Sequence, residues 1–269
     1  MSPLWHQRAG HGPRKVRSLT SMTAVFVHGN PETTAIWGPL LAVLGRDDVV
    51  LLSPPGFGAP LPDGFGATFL EYRDWLEAEL SAIEGPIDLV GHDWGGGHVM
   101  NAVMHRPELV RSWVSDVVGL FDPEYVWHDM AQVWQTPGAG EESLDAMLGG
   151  DLTARTDLMV SLGIPADIAA QIAEHQNADM GRAILALYRS AAQPAMAEAG
   201  RELPSLAARP GLSLLATDDA FIGAHDNRRR ASERAGARIA VLEGLGHWWM
   251  VQDPHRGAEA LNSFWATLD

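Results

Sequence analysis

Short apolar runs recur along this chain, and most of them are followed by a turn rich in glycine or proline. Runs of about four to eight β-prone apolar residues bounded in this way are typical of buried strands. Such runs occupy residues 23–27, 49–52, 86–90, 109–115, 212–216 and 237–242. Apolar residues at helical spacing between 69 and 83 predict an amphipathic helix, and residues 97–105 predict a second helix after the third run. Asp253-Pro254 predicts the start of a final helix, with Asp253 as its N-cap. Strands that alternate with helices predict a parallel sheet covered by helices, with ligands bound at the carboxyl ends of the strands.

The pattern changes between the fourth and the fifth of these runs. Residues 122–207 contain helical runs broken by Pro137-Gly138 and Gly149-Gly150, and no strand-like run interrupts them. We therefore predict an α/β core of residues 22–121 and 208–269, with a helical cap of residues 122–207 inserted between two core strands. Residues 1–21 contain basic but no acidic residues and lack the apolar centre of a signal peptide, so we expect a flexible N-terminal extension.

Candidate chemistry lies in the turn after the third run, where residues 91–95 are Gly-His-Asp-Trp-Gly. Small residues around one polar residue are the pattern of a nucleophile elbow, but Asp93 stands where serine is usual. A carboxylate is charged at neutral pH, so it can attack a saturated electrophilic carbon without a base and form an ester. His247, after the sixth run, would then activate water against that ester, and Asp219, after the fifth run, would orient His247.

These motifs resemble those of α/β-hydrolases with an aspartate nucleophile, namely epoxide hydrolases and haloalkane dehalogenases. The resemblance runs from residue 24 to the C-terminus. It rests on His-Gly-Asn-Pro at 28–31, Pro-Gly-Phe-Gly at 55–58, Gly-His-Asp-Trp-Gly-Gly at 91–96, the acid after Ala216 and Gly-His at 246–247. It implies the α/β-hydrolase fold, a mostly parallel sheet flanked by helices with a helical cap between two core strands. The family also has two strands before the first run, of which only residues 15–20 could supply one.

The resemblance also implies roles for individual residues. The backbone N–H groups of Asn30 and Trp94 would hold the oxyanion of the second step, and His28 and Trp134 are further candidates for substrate binding. The spacing of the family's acid motif favours Asp219 over Asp218, which otherwise fits a solvated loop acid. Asp116, after the fourth run, stays an alternative because some relatives place the acid there.

The leaving group separates two functional predictions. Opening an epoxide produces an alkoxide, which needs a proton donor such as a tyrosine, whereas a halide needs only N–H donors. Tyr188-Arg189 resembles the Tyr-Arg pair in the cap of epoxide hydrolases, but Met130 occupies the place of their second tyrosine. His128 and Tyr125 are nearby candidates for that role.

The side chains of Asn30 and Trp94, by contrast, match the halide-binding pair of haloalkane dehalogenases. We place epoxide hydrolysis first and dehalogenation second, because the cap sets the substrate chemistry. A non-catalytic ligand-binding member of the fold is a third, non-enzymatic hypothesis.

Composition narrows the range of partners. A net charge of -15 argues against nucleic acid and anionic membranes, and the absence of cysteine excludes disulfides and thiol nucleophiles. We expect a cytoplasmic enzyme, without metal or cofactor, that acts on a small apolar organic substrate and could form a homodimer. The tryptophans expected to line its pocket are Trp127, Trp134, Trp248 and Trp249.

Overall fold

A computed structural model describes residues 22–268, and six parallel strands form one sheet in this part of the chain. Their order across the sheet is β2-β1-β3-β4-β5-β6. The strands are β1 (Thr23–Val27), β2 (Val49–Leu52), β3 (Ile87–Gly91), β4 (Ser112–Ser115), β5 (Gly211–Ala216) and β6 (Arg238–Leu242). The predicted α/β architecture with a parallel sheet is therefore confirmed.

Both faces of the sheet are apolar, so helices cover both. In β1, Ala24 and Phe26 pack into one core layer, while Val25 and Val27 pack into the layer on the opposite face. This division follows from the alternation of side chains along a strand. The covering helices are α1 (Gly38–Leu44), α2 (Phe69–Ser81), α3 (Trp94–His105), α10 (His225–Arg234), α11 (Trp249–Gln252) and α12 (Pro254–Trp265).

The chain between β4 and β5 is helical, as its pattern predicts. Its helices are α4 (Asp129–Gln135), α5 (Ala139–Leu148), α6 (Leu152–Ser161), α7 (Ala166–Ala173), α8 (Ala178–Ser190) and α9 (Ala195–Ala199). Within residues 22–268 there are also four 3₁₀ helices, at Thr34–Trp37, Pro107–Leu109, Val118–Phe121 and Gly200–Ala208. The assignment of the inserted helices as a separate cap domain stays a prediction. The expected N-terminal extension and the strand at 15–20 lie outside the described residues.

Two element boundaries differ from the sequence-based expectation. The predicted strand at 109–115 begins only at Ser112, because Pro107–Leu109 forms a 3₁₀ helix that starts with a proline, which has no N–H for a ladder. Helix α3 begins at Trp94 rather than at Gly97, since the turn after β3 lasts only two residues. The final helix begins as predicted, with the Asp253 side chain accepting a hydrogen bond from the Arg256 N–H. Among residues 22–268 we find no helix with the length and apolarity that crossing a membrane requires.

The register of the central strands determines where the candidate residues meet. Strand β1 pairs with β3 so that Val27 lies beside Gly91. The turns that follow the two strands, 28–31 and 92–93, therefore leave the sheet side by side.

Candidate active site

Asp93 occupies a strained turn between β3 and α3. Its backbone has φ 50° and ψ −128°, a conformation that costs an L-residue on the order of 1–3 kcal/mol and is typical of nucleophile elbows. Neighbouring glycines make the turn sterically feasible. A Cβ on Gly29 would lie 2.2 Å from Asp93 Oδ1, and one on Gly95 would lie 2.1 Å from the carbonyl oxygen of Val27. The elbow can therefore press against β1 only because both positions lack a side chain.

The structure brings Asp93, His247 and Asp219 together from three strand ends. His247 Nε2 lies 3.8 Å from Asp93 Oδ2, and His247 Nδ1–H donates to Asp219 Oδ2 over 2.8 Å. Burial alone would lower the pKa of His247, but the charge of Asp219 raises it above its ordinary value. Burial alone would likewise raise the pKa of Asp219, but His247 brings it below its ordinary value. This geometry fits a general base held by an anionic partner.

Neither alternative acid contacts His247. Asp218 is exposed and accepts a hydrogen bond from the hydroxyl of Thr217. Asp116 is buried, but its carboxylate accepts from the backbone N–H of Asp93 over 3.0 Å and from the Trp249 indole over 2.7 Å. Asp219 is thus the acid placed at the histidine, and Asp116 instead braces the elbow.

Two backbone donors bind the Asp93 carboxylate. The N–H of Asn30 donates to Oδ1 over 3.0 Å, the Asn30 side-chain amide lies 3.4 Å from the same oxygen, and the N–H of Trp94 also bonds to the carboxylate. Burial raises the pKa of Asp93, while the nearby His247 and His92 oppose that rise. Oδ1 therefore occupies an oxyanion-hole environment, and Oδ2 is left on the His247 side.

A buried cluster of charged side chains, His92, Asp116 and Glu32, lies beneath the elbow and was not predicted from the sequence. His92 directs Nδ1–H at Asp116 over 2.5 Å and Nε2–H at Glu32 over 3.1 Å, and the Trp248 indole also donates to Glu32. Burial alone would lower the pKa of His92, but the two carboxylates raise it well above its ordinary value. These contacts favour a positively charged His92 beneath Asp93. The signal was available in the sequence, since polar residues at 32, 92 and 116 all follow strands.

Two members of this cluster, Glu32 and His92, also lie close to His247 in a grouping that could hold a metal ion. Ligand atoms of Glu32, His92 and His247 all lie within 4.8 Å of one another. With both ring nitrogens of His92 donating to carboxylates, its imidazolium has no lone pair to offer a metal. The contacts fit an ion-pair network better than a metal site, and the expectation of a metal-free protein stays a prediction.

The inserted helices contribute two polar side chains above Asp93. The Asn30 amide and the Trp94 indole lie within hydrogen-bonding reach of the Tyr188 hydroxyl, whose pKa burial raises well above its ordinary value. His128 Nδ1 accepts the Ala131 N–H over 3.2 Å, capping α4, and burial lowers the pKa of this histidine to about 4. The neutral His128 ring therefore carries its proton on Nε2.

Tyr125 is the other candidate for the role of the second tyrosine, whose place in the sequence Met130 occupies. Met130 is 42% exposed, so it lies at the rim of the site. Tyr125 donates its hydroxyl to the carbonyl of Phe221 over 3.2 Å. Of the two candidates, the Tyr125 hydroxyl is bonded to Phe221, so His128, whose ring centroid lies 6.3 Å from that of Tyr188, is the better placed donor.

Two cavities reach Asp93. One has a volume of about 360 Å³ and is lined mainly by apolar side chains, including Trp134 and Trp248, and the other has about 20 Å³ and is lined in part by Trp127. Trp249 was expected in the pocket but is fully buried, because its indole is held by Asp116.

His28 was also expected at the substrate, but it lines neither cavity. It is fully buried, its Nδ1–H donates to the carbonyl of Gly29 over 2.8 Å, and burial lowers its pKa to about 4. The side chain of His28 is thus a neutral packing group below the turn that carries Asn30.

Comparisons with known proteins agree with this architecture. A model of the alpha/beta hydrolase family matches residues 24–260, and a comparison with curated proteins finds no match. The haloalkane dehalogenase DatA from Agrobacterium tumefaciens C58 has 18% identity and a TM-score of 0.72, with 93% of this chain and 91% of that chain covered. The haloalkane dehalogenase DbeA from Bradyrhizobium elkani USDA94 has 21% identity, a TM-score of 0.67 and 92% coverage of both chains. E-2-(Acetamidomethylene)succinate hydrolase has 20% identity, a TM-score of 0.62 and 92% coverage of both chains. At these identities the likeness establishes the shared fold, which hosts many activities.

Proposed function

The chain belongs to the alpha/beta hydrolase family, and on that premise we propose that it hydrolyses epoxides to vicinal diols through an ester on Asp93. The observation that carries this proposal is the Tyr188 hydroxyl, which lies with the Asn30 and Trp94 side chains above the carboxylate in a site lined mainly by apolar side chains. A buried phenol is a suitable proton donor to an alkoxide, because a fully formed alkoxide is a far stronger base than phenolate. The proposed substrate is accordingly a small apolar organic epoxide.

In the first step, Asp93 attacks a ring carbon while the carbon–oxygen bond of the epoxide breaks. Oδ2 is the favoured attacking atom, because Oδ1 already accepts the Asn30 N–H. Tyr188 transfers its proton to the departing oxygen, and the Nε2–H of His128 donates a hydrogen bond to the same oxygen. The products are a hydroxyalkyl ester of Asp93 and a tyrosinate, which the Asn30 and Trp94 donors stabilise.

In the second step, His247 Nε2 takes a proton from water as the water oxygen attacks Cγ of Asp93. The negative charge of the tetrahedral intermediate develops on Oδ1, where the N–H of Asn30 already points, and the N–H of Trp94 is a second donor to the same group. Asp219 stabilises the imidazolium. Collapse of the intermediate releases the diol, whose second hydroxyl takes its proton from His247, and leaves Asp93 as a carboxylic acid. Asp93 then loses its proton to solvent and Tyr188 gains one from solvent, which restores the starting state.

Haloalkane dehalogenation is the second candidate function. It is supported by the two side-chain donors of Asn30 and Trp94, and the neighbouring structures DatA and DbeA carry that activity in their names. A halide leaves as a stable anion, so that reaction would not need the proton of Tyr188. A non-catalytic ligand-binding protein is the third candidate and would retain a ligand without turnover.

The decisive experiment compares styrene oxide with a bromoalkane and measures diol and bromide. We expect diol from the epoxide, and we expect His247→Gln to accumulate an adduct with the mass of one epoxide molecule, because its ester cannot be hydrolysed. Asp93→Ala is the control and should form no adduct. Bromide release without diol would favour dehalogenation, and turnover of either substrate without an adduct on His247→Gln would contradict the covalent mechanism.

A further inference from the structure

The two cavities that reach Asp93 differ greatly in size. The larger, of about 360 Å³, extends along apolar side chains such as Met147, Leu158 and Leu162. The smaller, of about 20 Å³, lies toward Val117 and Leu120. Both are lined by the same four residues, Asp93, His128, Tyr188 and Phe221. A reacting group held between Asp93 and Tyr188 therefore lies next to both cavities.

The walls of the small cavity belong to the packed core. Val117, Leu120 and Ile222 are 3%, 7% and 4% exposed. The Trp127 ring stacks on that of Trp94 with centroids 5.8 Å apart, and the Tyr125 hydroxyl is fixed by its bond to the carbonyl of Phe221. Densely packed cores do not expand freely, because neighbouring side chains have no empty volume to move into.

A cavity of this volume holds about one group the size of a water molecule. Hydrogen atoms on a ring carbon, or a single methyl group, meet that limit, whereas longer alkyl or aryl groups do not. The large cavity falls in the range typical of small-molecule pockets, about 300–1,000 Å³, and its apolar lining suits an aryl or alkyl substituent.

We propose that the substrate is an epoxide with one large apolar substituent and nothing larger than methyl on its second ring carbon, and that Leu120 and Val117 set this limit. The inference rests on the proposed function, because it assumes an epoxide whose oxygen lies at Tyr188 and whose ring lies at Asp93. The large substituent then fills the cavity beside Leu158, and the second ring carbon faces the small cavity. A monosubstituted, terminal epoxide is the simplest member of this class.

The test is a substrate series in which only the group on the second ring carbon grows. Styrene oxide and its trans-β-methyl, β-ethyl and β-propyl derivatives provide hydrogen, methyl, ethyl and propyl at that position. We expect kcat/KM to change by less than about tenfold from hydrogen to methyl and to fall by at least about a hundredfold from methyl to propyl, as for a group that the core cannot accommodate.

Two variants locate the limit in the structure. Leu120→Ala enlarges the small cavity, so its kcat/KM with the propyl derivative should be at least about tenfold higher than that of the wild type. Val117→Ala removes a smaller side chain from the same wall, and it serves as the test variant if Leu120→Ala does not fold. Leu158→Ala is the matched control, since it enlarges the other cavity and should leave the fall along the series in place.

The outcomes distinguish this inference from the function on which it rests. If no member of the series gives diol, and none forms an adduct with His247→Gln, the proposed function fails. If all members react with similar kcat/KM, or if Leu158→Ala relieves the fall as well as Leu120→Ala does, epoxide hydrolysis stands and the size limit at the small cavity is overturned.

Discussion

Replacing Tyr188 with Phe removes one hydroxyl group above Asp93 and keeps the aromatic ring. The ring packs against three tryptophans, with centroid distances of 5.5 Å to Trp94, 5.4 Å to Trp127 and 4.8 Å to Trp134. These contacts survive the substitution. The expected loss of folding stability is therefore that of one hydrogen bond at most, about 0.5–1.5 kcal/mol.

The expected effect on the first chemical step is much larger. General acid catalysis contributes about 10²–10⁴-fold to a rate. The Nε2–H of His128 stays beside the departing oxygen in the variant, because its Nδ1 is still held by the Ala131 N–H. One of two donors is lost, so we expect the rate of ester formation from an epoxide to fall by about 10²–10³-fold, or about 2.7–4 kcal/mol.

Rapid-mixing measurements of a single turnover resolve ester formation from hydrolysis. Tyr125→Phe is the matched control, because that hydroxyl is bonded to the carbonyl of Phe221 and does not reach the reacting atoms. It should change the rate of ester formation by less than about tenfold. Asn30→Ala should slow ester formation from epoxides much less than Tyr188→Phe does, since the Trp94 indole still stabilises the tyrosinate and the backbone N–H to Asp93 remains.

The reverse pattern would refute the reasoning. If Tyr188→Phe forms the ester within about threefold of the wild-type rate, while Asn30→Ala loses most activity and bromide is released, then Tyr188 is a packing residue. The side-chain donors of Asn30 and Trp94 would then be the groups that bind the leaving group, and the product would be a halide.

Two further predictions concern the base and the elbow. Ester hydrolysis should be lost as pH falls through a midpoint above about 6.5, the ordinary histidine value, because the charge of Asp219 raises the pKa of His247 and the protonated ring cannot activate water. In Asp219→Asn this midpoint should move to lower pH, and an unchanged pH–rate profile would contradict the pairing. Gly95→Ala should lower Tm strongly, because its Cβ would collide with the carbonyl of Val27, whereas Gly38→Ala has open space and should raise or preserve Tm. Equal melting temperatures for the two variants would disprove the close approach of α3 to β1.

The strands could be predicted because each is a short apolar run bounded by turn residues. Strand β1 illustrates the case, since its five residues are all buried and its ends match the apolar run. The boundary of α3 could not be predicted in the same way. The turn between β3 and α3 passes through a single strained residue, Asp93. Glycine has a low helix propensity, so the glycines at 95–97 do not predict a helix that already begins at Trp94.

Sequence reasoning could predict only those site residues that directly follow a strand. Asp93, Asp219 and His247 follow strands, and parallel strands bring such residues to one edge. The role of His128 depends on which ring nitrogen caps α4, and that follows from the local backbone rather than from the residue type. The pairing of Glu32 with His92 depends equally on the register of β1 and β3.

The hydrogen bond between the Trp248 indole and Glu32 joins residues 216 positions apart, and His247 and Asp93 are 154 positions apart. Contacts of such high sequence separation form only after long loops have closed, which makes parallel sheets slow to fold. The candidate site therefore becomes complete only when the last strand and the turn after it have docked. During refolding, helical structure should return before catalytic competence, and activity then reports that the two ends of the described chain have met.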